Sequence, residues 1–187
     1  MARPSSFRQR PPLDAGRLEE LALRYVGRYA TTRSKLCSYL ARKVRERGWG
    51  EKGDPDIEGL ARRFSKLGYV DDAAYALAKS RALSSRGYGR RRLDQQLRLA
   101  GVDDADGRAA RDHADAAAVD AALHYAQRRK IGPFAAEKAD PRQREKAIGA
   151  MIRAGHSFAL ARAVLDWPRD APIDTGQIAD RAGLTLS

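Results

Sequence analysis

Apolar residues recur at helical spacing along most of the chain and predict a series of α-helices. Leu36, Leu40 and Val44 lie four residues apart, and Leu93 and Leu97 repeat that spacing. Positions three or four apart share one face of a helix, so each set predicts a helix with one buried stripe. No segment shows the sustained alternation of apolar and polar residues that indicates a strand. The pattern therefore predicts an all-α fold.

Capping signals divide this helical stretch into separate elements. Asp54-Pro55 and Asp140-Pro141 each predict a helix start. Aspartate can cap the first turn, and proline at the first helical position loses no hydrogen bond. Ser157 predicts the start of the last long helix. After Trp167-Pro168 the chain becomes polar, and we expect at most one short helical turn there.

The glycines that end three basic helices indicate an internal repeat. Gly48, Gly101 and Gly155 lie 53 and 54 residues apart, and each is preceded by an Ala/Leu-rich helix and a basic helix. We predict an elongated array of three tandem three-helix repeats, whose neighbours should pack because each repeat buries little alone. One irregular bundle is the alternative. The predicted divisions are a disordered basic tail (1–16), three helical repeats (17–70, 71–115 and 116–167) and a loosely ordered C-terminal tail (168–187).

The net charge implies an acidic partner. The 187 residues include 36 Lys or Arg against 24 Asp or Glu, a formal charge of +12 at pH 7. Nucleic acid, an acidic protein surface and an anionic membrane all satisfy this charge. The most basic stretches lack the wide apolar face of an interfacial membrane helix, so nucleic acid or a nucleoprotein ranks first. No apolar run is long enough to cross a bilayer, and none follows the basic N-terminus, so we expect a cytoplasmic protein without a secretory signal or membrane partner.

Catalytic chemistry finds little support in the sequence. Cys37 is the single cysteine, the three histidines are widely spaced, and no phosphate-binding loop, nucleophile elbow or zinc-protease motif is present. The pairs Asp71-Asp72 and Asp103-Asp104 lie where helices start, where carboxylates favour the helix dipole. We therefore expect a protein that is not an enzyme and that needs no cofactor and no metal.

Positive residues are concentrated in two runs. Glu46 is the only acidic residue between Arg24 and Arg47, and Asp94 is the only one between Lys79 and Arg98. Such runs can neutralise phosphates and bind nucleic acid with little sequence preference, but they can equally meet an acidic protein groove. The candidate binding residues are Arg24, Arg28, Arg33, Lys35, Arg42 and Lys43 in the first run and Arg81, Arg86, Tyr88, Arg90, Arg91 and Arg92 in the second.

The segment Gly87-Tyr88-Gly89 precedes three arginines that open a helix. We interpret the two glycines as a flexible turn. Cations at a helix N-terminus oppose the helix dipole, which suggests that Arg90, Arg91 and Arg92 serve a partner. One of the three can instead point inward and cap a neighbouring helix. We expect their joint replacement by alanine to leave folding nearly unchanged and to weaken binding.

Two stretches resemble a known family. Leu67-Gly68-Tyr69-Val70-Asp71-Asp72 and Arg86-Gly87-Tyr88-Gly89-Arg90-Arg91-Arg92-Leu93 resemble the core signature of the RecX family. The earlier Ala22-Leu23-Arg24-Tyr25 is similar to that family's first repeat. The resemblance covers roughly residues 17–165.

The resemblance implies an all-helical array of three-helix repeats that binds the RecA recombinase filament on single-stranded DNA. We expect the protein itself to be a monomer. It also implies inhibition of the recombinase and ATPase activities of RecA, and hence tempering of recombinational repair and the SOS response. Family members have no enzymatic activity of their own. Two alternatives remain at this point: a helix-turn-helix regulator that binds a specific DNA sequence, and a helical RNA-binding or scaffold protein that ignores RecA.

Overall fold

Ten α-helices make up most of the described chain. A computed structural model describes residues 11–184. Between these limits the chain forms no β-sheet, and its extended pairing amounts to one isolated bridge between Leu13 and Trp49. The all-α prediction is confirmed. The helices are α1 (Ala15–Val26), α2 (Arg33–Arg47), α3 (Ile57–Lys66), α4 (Asp72–Ser84), α5 (Arg90–Ala100), α6 (Arg108–Ala116), α7 (Ala118–Arg129), α8 (Pro141–Arg153), α9 (Phe158–Leu165) and α10 (Thr175–Arg181), with a 3₁₀ turn at Gly132–Phe134.

The chain divides into two compact units, and the boundary lies between Asp72 and Ala73. The first unit contains α1, α2 and α3, which bury one apolar cluster. Leu36, Leu40 and Phe64 are its largest fully buried members besides Leu13, and they project from the stripes that the sequence predicts. Removing such side chains from water supplies about 1.5–3 kcal/mol each, so this cluster is the main stabilising feature of the first unit.

The second unit contains two apolar clusters. One lies among α4, α5 and α6 around Leu93 and Leu97, and the other lies among α7, α8, α9 and α10 around Met151 and Ile178. The cluster of the first unit and the one around Leu93 each lie among three helices, whereas α10 joins the last cluster and makes it a group of four. The predicted limits of the three repeats stay predictions.

The capping signals place most helix starts correctly. The Asp140 side chain accepts a hydrogen bond from the Gln143 backbone N–H at 2.7 Å, and the Gln143 side chain bonds back to the Asp140 N–H. Ser157 caps α9, since its hydroxyl oxygen accepts a hydrogen bond from the Leu160 backbone N–H at 3.1 Å. The start predicted at Asp54-Pro55 is wrong by two residues, because Asp56 accepts from the Gly59 N–H at 2.8 Å and begins α3.

The residues just before α1 pack against the first unit. Residues 1–10 of the predicted tail lie outside the described residues. Leu13 is fully buried, its N–H donates to Gly48 and its carbonyl accepts from Gly50. Asp14 then caps α1. The disordered tail predicted for residues 1–16 is therefore wrong for residues 11–16, where Leu13 is buried in the first unit and α1 begins at Ala15.

The C-terminal segment is also more ordered than predicted. Asp174 caps α10, whose Ile178 and Ala179 are buried in the cluster of α7, α8 and α9. The Arg181 guanidinium lies 4.8 Å from the centre of the Trp167 ring system, a cation–π contact. The loosely ordered tail predicted for 168–187 is therefore wrong for α10, and residues 185–187 lie outside the described part.

The turn before α5 is a tightly packed junction. The Gly89 N–H donates to the Ala154 carbonyl at 3.0 Å, and the Arg91 N–H donates to Gly155 at 3.1 Å. A Cβ atom on Gly89 would lie 2.5 Å from the Gly155 oxygen, and Gly155 itself has a φ of +101°. The flexible turn predicted at Gly87-Tyr88-Gly89 is wrong, because glycine serves here for close approach of two backbones.

Replacing Gly89 with alanine should destabilise the second unit by about 2 kcal/mol or more, because neither backbone can retreat without losing hydrogen bonds. Gly149→Ala is the matched control, since a Cβ there meets only the end of the flexible Arg153 side chain at 3.3 Å inside α8. Alanine should be neutral or stabilising at that position. Thermal and urea unfolding measure both variants. Equal stability of the two proteins would contradict the close-packed junction.

His156 lies beneath the same junction. The side chain is 2% exposed, its Nε2 bonds to the Gly87 carbonyl at 3.0 Å, and its Nδ1 has no partner within residues 11–184. Burial lowers the pKa of this imidazole, and the hydrogen bond to Gly87 only partly opposes that shift. The folded protein therefore favours the neutral ring.

Acidification should destabilise the protein through His156. Its unfolded pKa is about 6.5 and its folded pKa is lower, so below pH 6.5 the unfolded state binds more protons. The contribution of neutral His156 to the free energy of unfolding is complete above pH 6.5. It is lost as the pH falls towards the pKa of the folded state. His156→Gln keeps a donor for Gly87 but cannot titrate. Unfolding measured from pH 7.5 to 5.5 should show a smaller loss in the variant, and parallel curves would refute the role of His156.

Candidate nucleic-acid interface

Cations and aromatic rings surround one open pocket in the first unit. The pocket measures about 490 Å³ and lies between the end of α1 and the middle of α2. We call it the tyrosine pocket, and it is lined by Arg24, Tyr25, Arg28, Tyr29, Tyr39, Arg42 and Lys43. Four of the six cations predicted in the first basic run therefore meet at one place.

Stacked tyrosines form the wall of this pocket. Tyr25 and Tyr39 lie nearly parallel, with ring centres 4.1 Å apart and planes inclined by 12°. Tyr29 follows one turn after Tyr25, its ring centre 5.3 Å away and tilted by 50°. Its N–H donates to the Tyr25 carbonyl at 3.0 Å, which continues the end of α1 by one turn. Contacts between offset or tilted rings add to the stabilisation from burial and hold the rings in place.

Two carboxylates offset part of the positive charge. Arg42 and Lys43 share Glu46 at 3.1 and 2.6 Å, and the hydrogen bond from Lys43 lowers the pKa of that carboxyl. Arg24 pairs with Glu20 at 3.3 Å across an exposed helix turn, a contact that contributes little in water. Arg28 has no ion pair within residues 11–184 and lies 5.5 Å from the centre of the Tyr29 ring. The pocket keeps an excess of positive charge. Arg28 contributes to it as an exposed side chain without an ion pair in the described residues.

The remaining two cations of the first run do not line the pocket. The Arg33 N–H and Nε donate to Asp72 at 2.9 and 3.3 Å, and the Asp72 side chain is only 2% exposed. Asp72 thus satisfies the N-terminus of α2, which supports the structural interpretation of the Asp71-Asp72 pair. Lys35 lies half-buried in the same first turn, where its N–H donates to Thr32. The outward role expected of Arg33 needs correction, because its guanidinium helps to neutralise a buried carboxylate.

Arg90 is also engaged within the protein. Its guanidinium pairs with Asp94 at 3.1 Å and with Asp115, and it reaches the Arg111 carbonyl at 3.4 Å. Burial acts to lower the pKa of Arg90, but the hydrogen bonds and charges of Asp115 and Asp94 raise it above its ordinary value. Arg90 is therefore the arginine of the three that points inward.

The contacts of Arg90 belong to a network that joins α5 to α6. Arg111 donates to Asp94 at 3.0 Å and to Asp104 at 2.9 Å. Asp103 accepts from the Asp106 N–H at 2.8 Å in the preceding turn. The Asp103-Asp104 pair therefore has a structural role, but it lies in the turn before α6 rather than at the helix start that the sequence predicts, since the N-cap of α6 is Gly107. The premise that the side chains of all three arginines are exposed does not hold for Arg90, which is the inward-pointing one of the three.

The other residues of the second run differ in their surroundings. Arg81, Arg86 and Arg91 are exposed, and their guanidinium groups have no ion pair in the part of the chain that the structure describes. Arg92 donates to the Gln95 side chain at 2.9 Å. Tyr88 packs against the cluster of α7 to α10, so its ring is a packing residue rather than an open platform. Among the candidate binding residues of this run, the exposed cations are thus Arg81, Arg86 and Arg91.

The three tyrosines of the pocket are not among the binding residues predicted from the sequence. The apolar pattern places Tyr25 and Tyr29 only in a helical stripe, and it gives Tyr39 no role of its own. A usable signal exists in the sequence. The pairs Arg24-Tyr25 and Arg28-Tyr29 repeat after four residues, which places the two rings on one helix face beside two cations.

Arg90→Ala should lower the free energy of unfolding by about 1 kcal/mol, because the variant lacks a partly exposed ion pair and a bond to a backbone carbonyl. Arg91→Ala removes the same charge one residue along and should stay within about 0.5 kcal/mol of the wild type. Urea unfolding of the Arg90→Ala and Arg91→Ala variants at low and high salt measures the difference in stability between them. The destabilisation by Arg90→Ala should shrink as salt rises, and equal effects at both positions would contradict this assignment.

No helix within residues 11–184 has the length and apolar character needed to span a membrane.

Comparison with known proteins shows which family the helices resemble. The family model described as "RecX, second three-helix domain" matches residues 71–110, which include α4, the Gly87-Tyr88-Gly89 turn and α5.

Curated relatives extend this match over most of the chain. "Regulatory protein RecX" of Myxococcus xanthus is 35% identical over 160 residues, which cover 80% of this chain and 84% of the relative. "Regulatory protein RecX" of Thermobifida fusca is 34% identical over 147 residues, covering 78% and 75%. That of Agrobacterium fabrum is 29% identical over 143 residues, covering 72% and 73%.

These matches confirm the resemblance drawn from the signature residues. They also agree with the absence of catalytic motifs in the sequence, since RecX proteins are regulatory proteins and not enzymes. The chain belongs to the RecX family.

Proposed function

We propose that this protein binds the RecA filament on single-stranded DNA and restrains the ATPase and recombinase activities of RecA. Membership of the RecX family makes RecA the expected partner. The observation that carries the proposal is a group of predicted binding residues, Arg28 in the first unit and Arg81, Arg86 and Arg91 in the second, which are exposed and have no carboxylate partner in the described chain. Such groups are available to phosphates or to acidic protein groups.

Charge explains how binding occurs without sequence preference. Each arginine that meets a phosphate releases condensed counterions, so affinity falls steeply as salt rises. A helical array that follows a filament groove would contact DNA and several RecA protomers at once. Several weak contacts on one chain add up to an effective affinity far above that of each alone.

Inhibition needs no catalytic group in this protein. A chain lying in the groove occupies the space that a second DNA strand requires, and it hinders addition of further protomers. Contacts to neighbouring protomers also restrict the coupled motions that accompany ATP turnover. Binding alone therefore accounts for regulation, and the site of action is the cytoplasm, where RecA and DNA are found.

Titration of this protein into RecA on single-stranded DNA should suppress ATP hydrolysis and strand exchange at or below equimolar amounts. A triple variant with Arg81, Arg86 and Arg91 replaced by alanine should bind more weakly and inhibit less. The salt slope should fall by about 0.7 for every phosphate that the variant no longer neutralises. The variant should keep its thermal stability, because these side chains are exposed.

A charge-matched control tests whether position matters as well as charge. Arg142, Lys146 and Arg153 are exposed cations of α8 in the same unit, and their joint replacement also removes three charges. The control should retain most of the inhibition. Wild-type protein that leaves the RecA ATPase unchanged while folded would refute the proposal. A specific-to-nonspecific DNA affinity ratio of about a thousand or more would instead indicate a sequence-specific regulator.

A further inference from the structure

We propose that the tyrosine pocket holds a base of single-stranded DNA, which stacks on Tyr29 while Arg28 contacts a neighbouring phosphate. This inference rests on the proposed function, because it assumes that the DNA of the filament is one of the ligands. It goes further by assigning a stacking site in the first unit, apart from the arginines of the second.

Tyr29 has no evident role in stabilising the fold. Tyr25 and Tyr39 pack against the apolar cluster of the first unit, but Tyr29 does not belong to that cluster and remains 49% exposed. A large ring left in water contributes little burial energy. The contact with Tyr25 and the backbone bond between the two residues nevertheless fix its position. The result is a preorganised aromatic surface that is open to a ligand.

The charges around the ring suit a nucleotide. Arg28 lies beside Tyr29 without an ion pair in the described chain, and Arg24 enters the pocket from the preceding turn. Proteins that bind single strands without sequence preference combine such cations with aromatic rings, because every base has a π face and every linkage has a phosphate. The pocket offers both groups within one helical turn.

An acidic peptide is the main competing occupant. It would satisfy the same cations, and four cations against two carboxylates leave a positive pocket for either ligand. The exposed ring favours the base, since a carboxylate gains nothing from a flat π surface. The two occupants therefore differ in one measurable respect, which is whether the bases themselves contribute to binding.

The experiment compares two fluorescent strands of equal length in the absence of RecA. One is oligo(dT), and the other is an abasic strand with the same sugar–phosphate chain. The wild type should bind oligo(dT) more tightly. Tyr29→Leu should weaken oligo(dT) binding by about 5- to 100-fold and leave abasic binding unchanged, because the variant lacks only the stacking surface. Tyr29→Phe should restore the preference, which shows that the Leu variant fails for lack of a ring.

Tyr69 supplies a matched control. It is 54% exposed in the same unit and contacts Phe64 rather than the pocket, so Tyr69→Leu should keep the preference for bases. Arg28→Ala should weaken both strands by a similar factor and lower the salt slope. A wild type that binds both strands equally, or a Tyr29→Leu variant that weakens both strands equally, would overturn the inference.

Inhibition of the RecA ATPase, measured on the same proteins, separates this inference from the proposed function. Inhibition by a wild type that shows no base preference would overturn the stacking site and leave the regulatory function standing. A base preference that depends on Tyr29 would support the stacking site even if RecA were not inhibited, and in that case the proposed function would fail.

Discussion

The close approach of Gly89 to Gly155 determines how the second unit presents its cations. The first N–H groups of α5 have no side-chain cap, and the backbone between α8 and α9 supplies part of what is missing, since Gly155 accepts from Arg91. This contact fixes the start of α5 and therefore the directions of its first side chains. Arg90 turns towards Asp94 and Asp115, whereas the Arg91 side chain remains in water. A junction with looser packing would not fix the different directions of the Arg90 and Arg91 side chains.

Arginine has two roles in this protein, as an internal ion-pair partner and as an exposed cation. The carboxylates around each arginine determine which role it has. Arg33 and Arg90 lie beside carboxylates that are wholly or largely withdrawn from water, so each stabilises a group that would otherwise be costly to bury. Arg28 and Arg86 are exposed and have no such partner in the described chain. A cation at the N-terminus of α5 is thus not by itself evidence for a binding partner, because Arg90 forms its ion pairs within the protein, with Asp94 and Asp115.

Local sequence rules predict the helices well, because spacing and capping act within a few residues. They fail where the deciding contact comes from far along the chain. Asp72 lies 39 residues from Arg33, and Leu13 is held by the chain around Gly48. Nothing in a short window distinguishes a glycine that permits flexibility from one that permits close packing. The same limit applies to the candidate site. The runs of cations can be recognised in the sequence, but the carboxylates that pair with some of them cannot.

The two units differ in the kind of contact they offer to a single-stranded nucleic acid. In the first, Glu20 and Glu46 offset part of the positive charge around the tyrosines, and the exposed Tyr29 ring beside Arg28 is the distinctive feature. In the second, the Tyr88 ring is partly buried against the cluster of α7 to α10, and exposed arginines remain without an aromatic platform. Stacking resists salt, whereas phosphate contacts do not. If both units bind one strand, the residual affinity at high salt should therefore come from the first unit.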